Sequence, residues 1–129
     1  MDFATILQIV LIVLLGYFVY SRFAPVKGLK NVNALQFKEE LDQRTPKYIM
    51  DVREPHEYKN GYIPGAVNVP LSQLSSRVQS LPKDKPLYLY CQSGMRSKQA
   101  ARMLAKNGFG NLTNLQGGIM SWKGKIQKG

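Results

Sequence analysis

One short stretch of this sequence combines a nucleophile, a cation and a flexible backbone: Cys91-Gln-Ser-Gly-Met-Arg-Ser97. It follows Pro86–Tyr90, an apolar and aromatic run that is typical of a buried strand. We expect a helix after it, from Lys98 to Asn107. A loop between a strand and a helix directs several backbone N–H groups into one small space, and the helix N-terminus adds partial positive charge. The pattern therefore predicts an anion site with Cys91 at its mouth.

Cys91 is the only cysteine in the chain, so it forms no internal disulfide. Amide dipoles and the nearby Arg96 would stabilise its thiolate, which is the reactive form of the side chain. A lone cysteine is often just a small buried apolar residue. Here, however, polar and flexible residues follow it, and Gly94 suits a backbone that turns through positive φ. We therefore predict that Cys91 is a nucleophile.

The spacing between Cys91 and Arg96 bears on what the thiolate attacks. The cysteine phosphatases use C-x5-R, a loop large enough to surround a tetrahedral phosphate. This sequence has C-x4-R, in which the arginine is one residue closer to the cysteine. The tighter loop fits a single persulfide sulfur better than a phosphate, and a phosphatase or arsenate reductase remains the less favoured alternative.

The flanking sequence predicts the elements that hold this loop. Apolar strand patterns alternate with amphipathic helix patterns, which indicates an α/β fold with a parallel sheet covered by helices on both faces. Ligands bind such sheets beyond the carboxyl ends of the strands, where Cys91 is expected. The predicted strands are Leu29–Val32, Lys47–Val52, Ala66–Val69, Pro86–Tyr90 and one within Phe109–Leu115, and the other predicted helices are Ala34–Gln43 and Leu71–Ser80.

The N-terminus has the composition of a membrane span. Residues 3–20 carry no charge, and as a helix they would be about 27 Å long, just short of the hydrocarbon thickness. A cleaved signal peptide is not favoured, because no basic residue precedes the run and no small-residue cleavage site follows it. We predict an uncleaved anchor at residues 1–22, a linker at 23–28 and one domain at 29–129.

The charge distribution predicts the orientation of the anchor. All 18 lysines and arginines lie at or after Arg22, together with seven of the eight acidic residues, so the part after the span carries about +11. The positive-inside rule then places the domain on the cytoplasmic side of the cell membrane in a single-pass topology. Nucleic-acid binding is not predicted, since the basic residues are spread out and no aromatic-interleaved module is present.

Four motifs occur in an order that resembles the rhodanese-like (sulfurtransferase) family, and the resemblance covers about Leu29 to Lys125. They are Asp51-Val-Arg-Glu-Pro-His-Glu57, Gly61-Tyr-Ile-Pro-Gly-Ala-Val-Asn68, Cys91-Gln-Ser-Gly-Met-Arg-Ser97 and Leu115-Gln-Gly-Gly-Ile-Met-Ser-Trp122. One position departs from the usual family pattern, because Tyr62 stands where the family generally has histidine.

The resemblance implies a sulfur relay through a persulfide on Cys91. A small anionic donor such as thiosulfate would give its outer sulfur to the thiolate, and a thiol, a protein sulfur acceptor or, in an assay, cyanide would remove it. The expected substrate-binding residues are those of the loop: Gln92, Ser93, Gly94, Met95, Arg96 and Ser97. Among them, Arg96 would attract the donor, and Ser97 would cap the following helix and hydrogen-bond the sulfur.

The resemblance also places Asp51 and Arg53 near the loop, where we expect an ion pair that supports it. Gly117, Gly118 and Trp122 are expected to serve packing. His56, the only histidine, is expected at the surface. With one histidine and one cysteine the sequence predicts no metal site, and the persulfide chemistry needs no cofactor. A non-enzymatic rhodanese-like module that recruits a partner to the membrane is the main alternative.

Overall fold

A parallel sheet of five strands organises the residues that follow the N-terminal helix. In the computed structural model, which describes residues 1–129, the strand order is β1-β5-β4-β2-β3 and every neighbouring pair is parallel. The strands are β1 (Leu29–Val32), β2 (Tyr48–Asp51), β3 (Val67–Asn68), β4 (Leu87–Tyr90) and β5 (Leu112–Leu115). The predicted parallel α/β fold is therefore confirmed, and the strand that leads into Cys91 is the central one.

The central strand β4 shows why the sheet is covered on both faces. Successive side chains of a strand point to opposite faces, and all four residues of β4 are buried. Leu87 and Leu89 pack in one hydrophobic cluster, with Leu74 and Leu104, whereas Tyr88 and Tyr90 pack in the other. The second cluster also contains Phe37, whose ring contacts Tyr88 edge to face at 5.6 Å between centroids. An apolar run without polar alternation thus gives a strand with no solvent-facing side.

Helices connect the strands and cover the two faces. They are α2 (Ala34–Asp42), α3 (Pro55–Lys59), α4 (Leu74–Arg77) and α5 (Met95–Lys106), with a final 3₁₀ turn at Gly118–Ser121. Asn33 caps α2 by accepting a hydrogen bond from the Gln36 backbone at 2.8 Å, as the sequence indicates. The continuous helix predicted over Leu71–Ser80 is wrong in detail, because α4 is only four residues long and lies between two 3₁₀ turns.

Helix α5 begins three residues before the predicted Lys98. Its N-cap is Gly94, at φ +107°, and no side chain caps the helix. Side-chain caps are the sequence signal for a helix start, so a helix that begins at a left-handed glycine gives no such signal. The helix ends at Lys106, and Gly108 follows at φ +91°, a left-handed conformation that favours glycine after a helix.

The N-terminal helix α1 (Phe3–Phe23) stands apart from the sheet. It has 21 residues, none of them buried, and it is long and apolar enough to cross a membrane. At about 1.5 Å per residue it measures about 31 Å, close to the hydrocarbon thickness of a bilayer. It ends one residue beyond the predicted boundary of the anchor.

Candidate active site

Cys91 lies at the carboxyl end of the central strand, as predicted, but it is not exposed at the mouth of a concavity. Its side chain belongs to the hydrophobic cluster between the sheet and α5, and the residue is only 1% exposed. The expectation of an exposed cysteine is therefore wrong. The reason is topological: a residue that directly continues a central strand enters the space between the sheet and the helix that covers it.

Two polar groups of the loop contact the Cys91 sulfur. The backbone N–H of Gly94 donates to Sγ at 3.0 Å, and the Ser97 hydroxyl lies 3.4 Å from it. The same hydroxyl also reaches the Gly94 carbonyl at 3.1 Å. Ser97 therefore contacts the sulfur as expected, but the prediction that it caps the helix is wrong, because it lies inside the first turn of α5.

The other loop residues form the rim of the site. Gln92, Ser93 and Met95 are exposed, Arg96 is partly exposed and Gly94 is buried. Of the backbone amides predicted to hold the sulfur, that of Gly94 is the one that donates to Sγ. The left-handed conformation of Gly94 (φ +107°) turns this amide inward. Gly94, through its N–H, and Ser97, through its hydroxyl, are thus the loop residues that contact the thiol directly.

The turn after β5 holds the loop from the other side. The backbone N–H of Ile119 donates to the Cys91 carbonyl at 2.9 Å, and that of Met120 donates to the Gln92 carbonyl at 3.2 Å. A Cβ atom at Gly118 would lie only 2.6 Å from the Cys91 carbonyl oxygen, so only glycine allows this approach. Gly118 therefore supports the active-site loop directly. The sequence reasoning had assigned it to packing, although the Gly117-Gly118 pair was a signal of close backbone approach.

Arg96 is paired with an acid that the sequence reasoning did not place in the site. Its two terminal nitrogens bind the two carboxylate oxygens of Glu57, at 2.6 and 2.8 Å. The guanidinium lowers the pKa of Glu57 to about 2. Both side chains are partly exposed, at 33% for Arg96 and 22% for Glu57. The carboxylate holds the guanidinium at the rim of the loop and offsets its charge. The sequence signal for this pairing was the acid that ends the Asp51–Glu57 motif.

Asp51 and Arg53 form the predicted ion pair, which is almost fully buried. Arg53 Nη2 lies 2.7 Å from Asp51 Oδ2 and 2.6 Å from the Gly61 carbonyl oxygen. Arg53 Nη1 also approaches Gln92 Oε1 at 3.4 Å. A buried charge pair is tolerated when its remaining donors are satisfied, and this one is. The pair connects the end of β2 to the active-site loop, so both residues act as supports.

Tyr62 and His56, the two other residues considered from the sequence, make no contact with the Cys91 sulfur. Tyr62 stacks on Tyr58 with ring centroids 4.1 Å apart, and its backbone pairs with Gln127 near the C-terminus. His56 is exposed on α3, as expected. The stacking of Tyr62 gives its ring a packing partner at the position where the resemblance implied a histidine.

Comparison with known proteins agrees with this geometry. A model of the Rhodanese-like domain matches residues 33–125. The uncharacterized protein YqhL of Bacillus subtilis is 41% identical over 120 residues, which cover 93% of this chain and 95% of the relative. A sulfurtransferase of Allochromatium vinosum is 33% identical over 94 residues, covering 73% of this chain and 88% of the relative.

A solved structure shows the same fold. The rhodanese-like domain protein from Staphylococcus aureus superposes with a TM-score of 0.71 at 29% identity, over 78% of this chain and 98% of that protein. The alignment with YqhL is longer than residues 29–129, so it extends into α1. Relatives named as sulfurtransferases support sulfur transfer as the general chemistry of the site. By sequence motif, by sheet topology and by the family match, the chain belongs to the rhodanese-like domain family.

Proposed function

We propose that this protein is a membrane-anchored sulfurtransferase that carries sulfane sulfur as a persulfide on Cys91. One observation carries the proposal: a single thiol, at the end of the central strand, accepts the Gly94 N–H at 3.0 Å inside a C-x4-R loop. The turn at Gly118 packs against the backbone of the loop, and the N–H groups of Ile119 and Met120 bind its carbonyls. Because the Gly94 N–H is already oriented before a substrate binds, it would stabilise negative charge on the sulfur without any rearrangement of the loop.

The proposed reaction has two displacement steps. The Cys91 thiolate attacks the outer sulfur of thiosulfate, a new S–S bond forms, the sulfur–sulfur bond of thiosulfate breaks, and sulfite leaves with the electron pair. A thiolate or cyanide then attacks the outer sulfur of the persulfide and releases the Cys91 thiolate. No net oxidant is needed, because the donor supplies sulfur at the oxidation level that the acceptor receives. The protein accordingly needs no resident cofactor or metal for this chemistry.

The rim residues would bind the donor. Arg96 is the cation of the loop, and its pairing with Glu57 leaves a guanidinium that is fixed in place and still partly exposed. A dianionic donor would share this guanidinium with the carboxylate, as charge-assisted recognition allows. The loop from Gln92 to Ser97 would enclose the outer sulfur, and Asp51 and Arg53 would keep the loop in position.

Residues 1–22 would anchor the protein, residues 23–28 would link the anchor to the domain, and residues 29–129 would form the catalytic domain. The excess of basic residues after the span favours a domain on the cytoplasmic side. A cytoplasmic, reducing environment would also keep the single thiol reduced between turnovers.

The decisive experiment is an intact-mass measurement of the purified protein after incubation with thiosulfate. We expect a gain of one sulfur atom, removed by cyanide with release of thiocyanate or by a reducing thiol. Cys91→Ser should show neither the mass gain nor thiocyanate release, whereas Ser75→Ala, at an exposed position on α4 outside the loop, should keep both. A wild-type protein that folds but never gains sulfur would favour the recruitment module. Hydrolysis of a phosphate ester by the same sample would favour the phosphatase.

The topology has a separate test. Since Cys91 is buried, we would place an exposed thiol at Lys125→Cys in a Cys91→Ser background. An impermeant thiol reagent should fail to label it in intact cells and should label it after permeabilisation. Labelling in intact cells would place the domain outside the cytoplasm.

A further inference from the structure

The domain is attached to the end of the N-terminal helix by a side chain as well as by the linker. The guanidinium of Arg102, on α5, donates hydrogen bonds to the carbonyl oxygens of Ser21, Arg22 and Ala24. The last carbonyls of a helix have no partner within the helix and carry partial negative charge. Arg102 satisfies three carbonyls at this end, so α5 is held directly against the C-terminal turn of α1.

This contact fixes the depth of α5 relative to the bilayer. The length of α1, about 31 Å, is close to that of the hydrocarbon core, so its last turn lies at the interface with water. Tyr17, Phe18 and Tyr20 are exposed near the same end, as in an interfacial aromatic belt. A side chain that binds the carbonyls of this turn therefore lies at the level of the lipid head groups.

The surface that α5 presents there is strongly basic. Lys98, Arg102 and Lys106 are spaced four residues apart and therefore share one face of the helix. Together with Arg22 and Arg96 they line a cavity between α5 and the end of α1, and no acidic residue lines it. Arg96 is paired with Glu57.

The remaining cations of this cavity have no acidic partner in the structure. The ion pairs of the protein involve Lys30, Lys38, Arg53 and Arg96. Lys98 and Lys106 are exposed, and Arg22 lies over the ring of Phe18. Arg102 is bound to the carbonyls of α1, and the other three cations, Arg22, Lys98 and Lys106, make this surface complementary to lipid phosphates.

We propose that Lys98 and Lys106, on the face of α5 that Arg102 holds against the end of α1, dock with Arg22 onto the anionic lipid head groups of the bilayer that α1 spans. The proposal rests on the anchor assigned above. A basic residue near an anionic membrane surface contributes about five-fold to the docking equilibrium, and two such residues about 30-fold. Because Met95 and Arg96 line the same cavity, docking also fixes the active-site loop close to the membrane surface.

Lysine footprinting of the full-length chain tests the docking. The chain is reconstituted in vesicles of neutral phosphatidylcholine or of phosphatidylcholine mixed with phosphatidylglycerol, and is treated with an impermeant amine-acylating reagent. Lys123 and Lys125 serve as internal references, because they are exposed and lie beside Trp122, which packs in the cluster on the other side of the sheet from α5. We expect acylation of Lys98 and Lys106, relative to these references, to be at least about five-fold slower in the anionic vesicles.

A matched pair of variants gives an independent measurement. Energy transfer from Trp122, the only tryptophan, to a dansyl-labelled lipid should differ between anionic and neutral vesicles, because docking fixes the distance of Trp122 from the bilayer. The double variant Lys98→Gln, Lys106→Gln should lose this difference, whereas Lys123→Gln, Lys125→Gln, with the same change in net charge, should keep it. High salt should also remove the difference, because it screens exposed charges.

Three results would overturn the docking. Equal acylation of all four lysines in both vesicles would exclude contact with anionic lipid. If inorganic phosphate added to neutral vesicles protected Lys98 and Lys106 from acylation as well as the anionic vesicles do, the surface would be a site for free phosphate. A chain that does not float with the vesicles would overturn the anchor and the docking together. None of these results bears on sulfur loading of Cys91, which the mass measurement decides separately.

Discussion

Replacing Gly94 by alanine tests the conformation on which the site depends. Gly94 has φ +107°, and a Cβ there would meet its nearest neighbour, the backbone nitrogen of Gly117, at 3.5 Å, an ordinary contact. The cost is therefore backbone strain, about 1–3 kcal/mol for an L-residue in this region. The alanine also reduces the entropy of the unfolded chain, which returns about 0.4–1 kcal/mol. We expect the free energy of unfolding to fall by about 1–2 kcal/mol.

The same substitution should slow sulfur loading. Relief of the strain moves the Gly94 N–H away from Cys91 Sγ, and a hydrogen bond to a charged acceptor contributes about 1.5–3 kcal/mol. Such a loss corresponds to a persulfide-forming rate roughly 10- to 100-fold lower.

Two matched glycine variants give the scale for this result. Gly110→Ala should be close to neutral, since Gly110 lacks a positive φ and nothing lies within 4 Å of its added Cβ. Gly118→Ala should be worse than Gly94→Ala, because its Cβ would also overlap the Cys91 carbonyl. Stability is measured by denaturation followed through Trp122 fluorescence, and loading by intact mass over time. If Gly94→Ala matched Gly110→Ala in both measurements, the reasoning about the left-handed amide would be refuted.

Three further predictions follow from the surroundings of the loop. Glu57→Gln should lower the unfolding free energy at neutral pH by about 1 kcal/mol, the upper range for a partly exposed ion pair. Pairing with Arg96 depresses the pKa of Glu57 from 4.5 to about 2. The contribution of the Glu57 carboxylate to stability is therefore complete above pH 4.5 and is lost as the pH falls towards 2. The unfolding free energies of wild type and variant, measured in a pH series of denaturation curves, should converge over that window. Ser97→Ala should fold and load sulfur several-fold more slowly, as followed by intact mass, and an unchanged rate would exclude a role for its hydroxyl at the thiolate. Arg53→Leu should destabilise the domain by about 3–5 kcal/mol in thermal denaturation, because it leaves Asp51 charged and buried without its partner.

Local patterns were enough to predict most of the fold and the position of the single thiol at the end of the central strand. The strand before Cys91 is apolar without interruption, and such runs form central parallel strands whatever surrounds them. The start of α5 was misplaced because Gly94 caps it through backbone conformation, which leaves no side-chain signal. Serine is typical of N-caps, so Ser97 favoured a helix that starts at Lys98, whereas α5 starts at Met95.

The sequence by itself determined the chemical parts of this protein: one thiol, a C-x4-R loop, four ordered motifs and an apolar helix long enough to cross a membrane. Each depends on the order of neighbouring residues, which folding does not change. Only the tertiary structure decided how distant residues meet. It brought Glu57 to Arg96, Gly118 to the Cys91 carbonyl and Arg102 to the end of α1, and it buried the thiol. These contacts join residues far apart in the chain, so they follow from the packing of the elements around the sheet and not from local spacing.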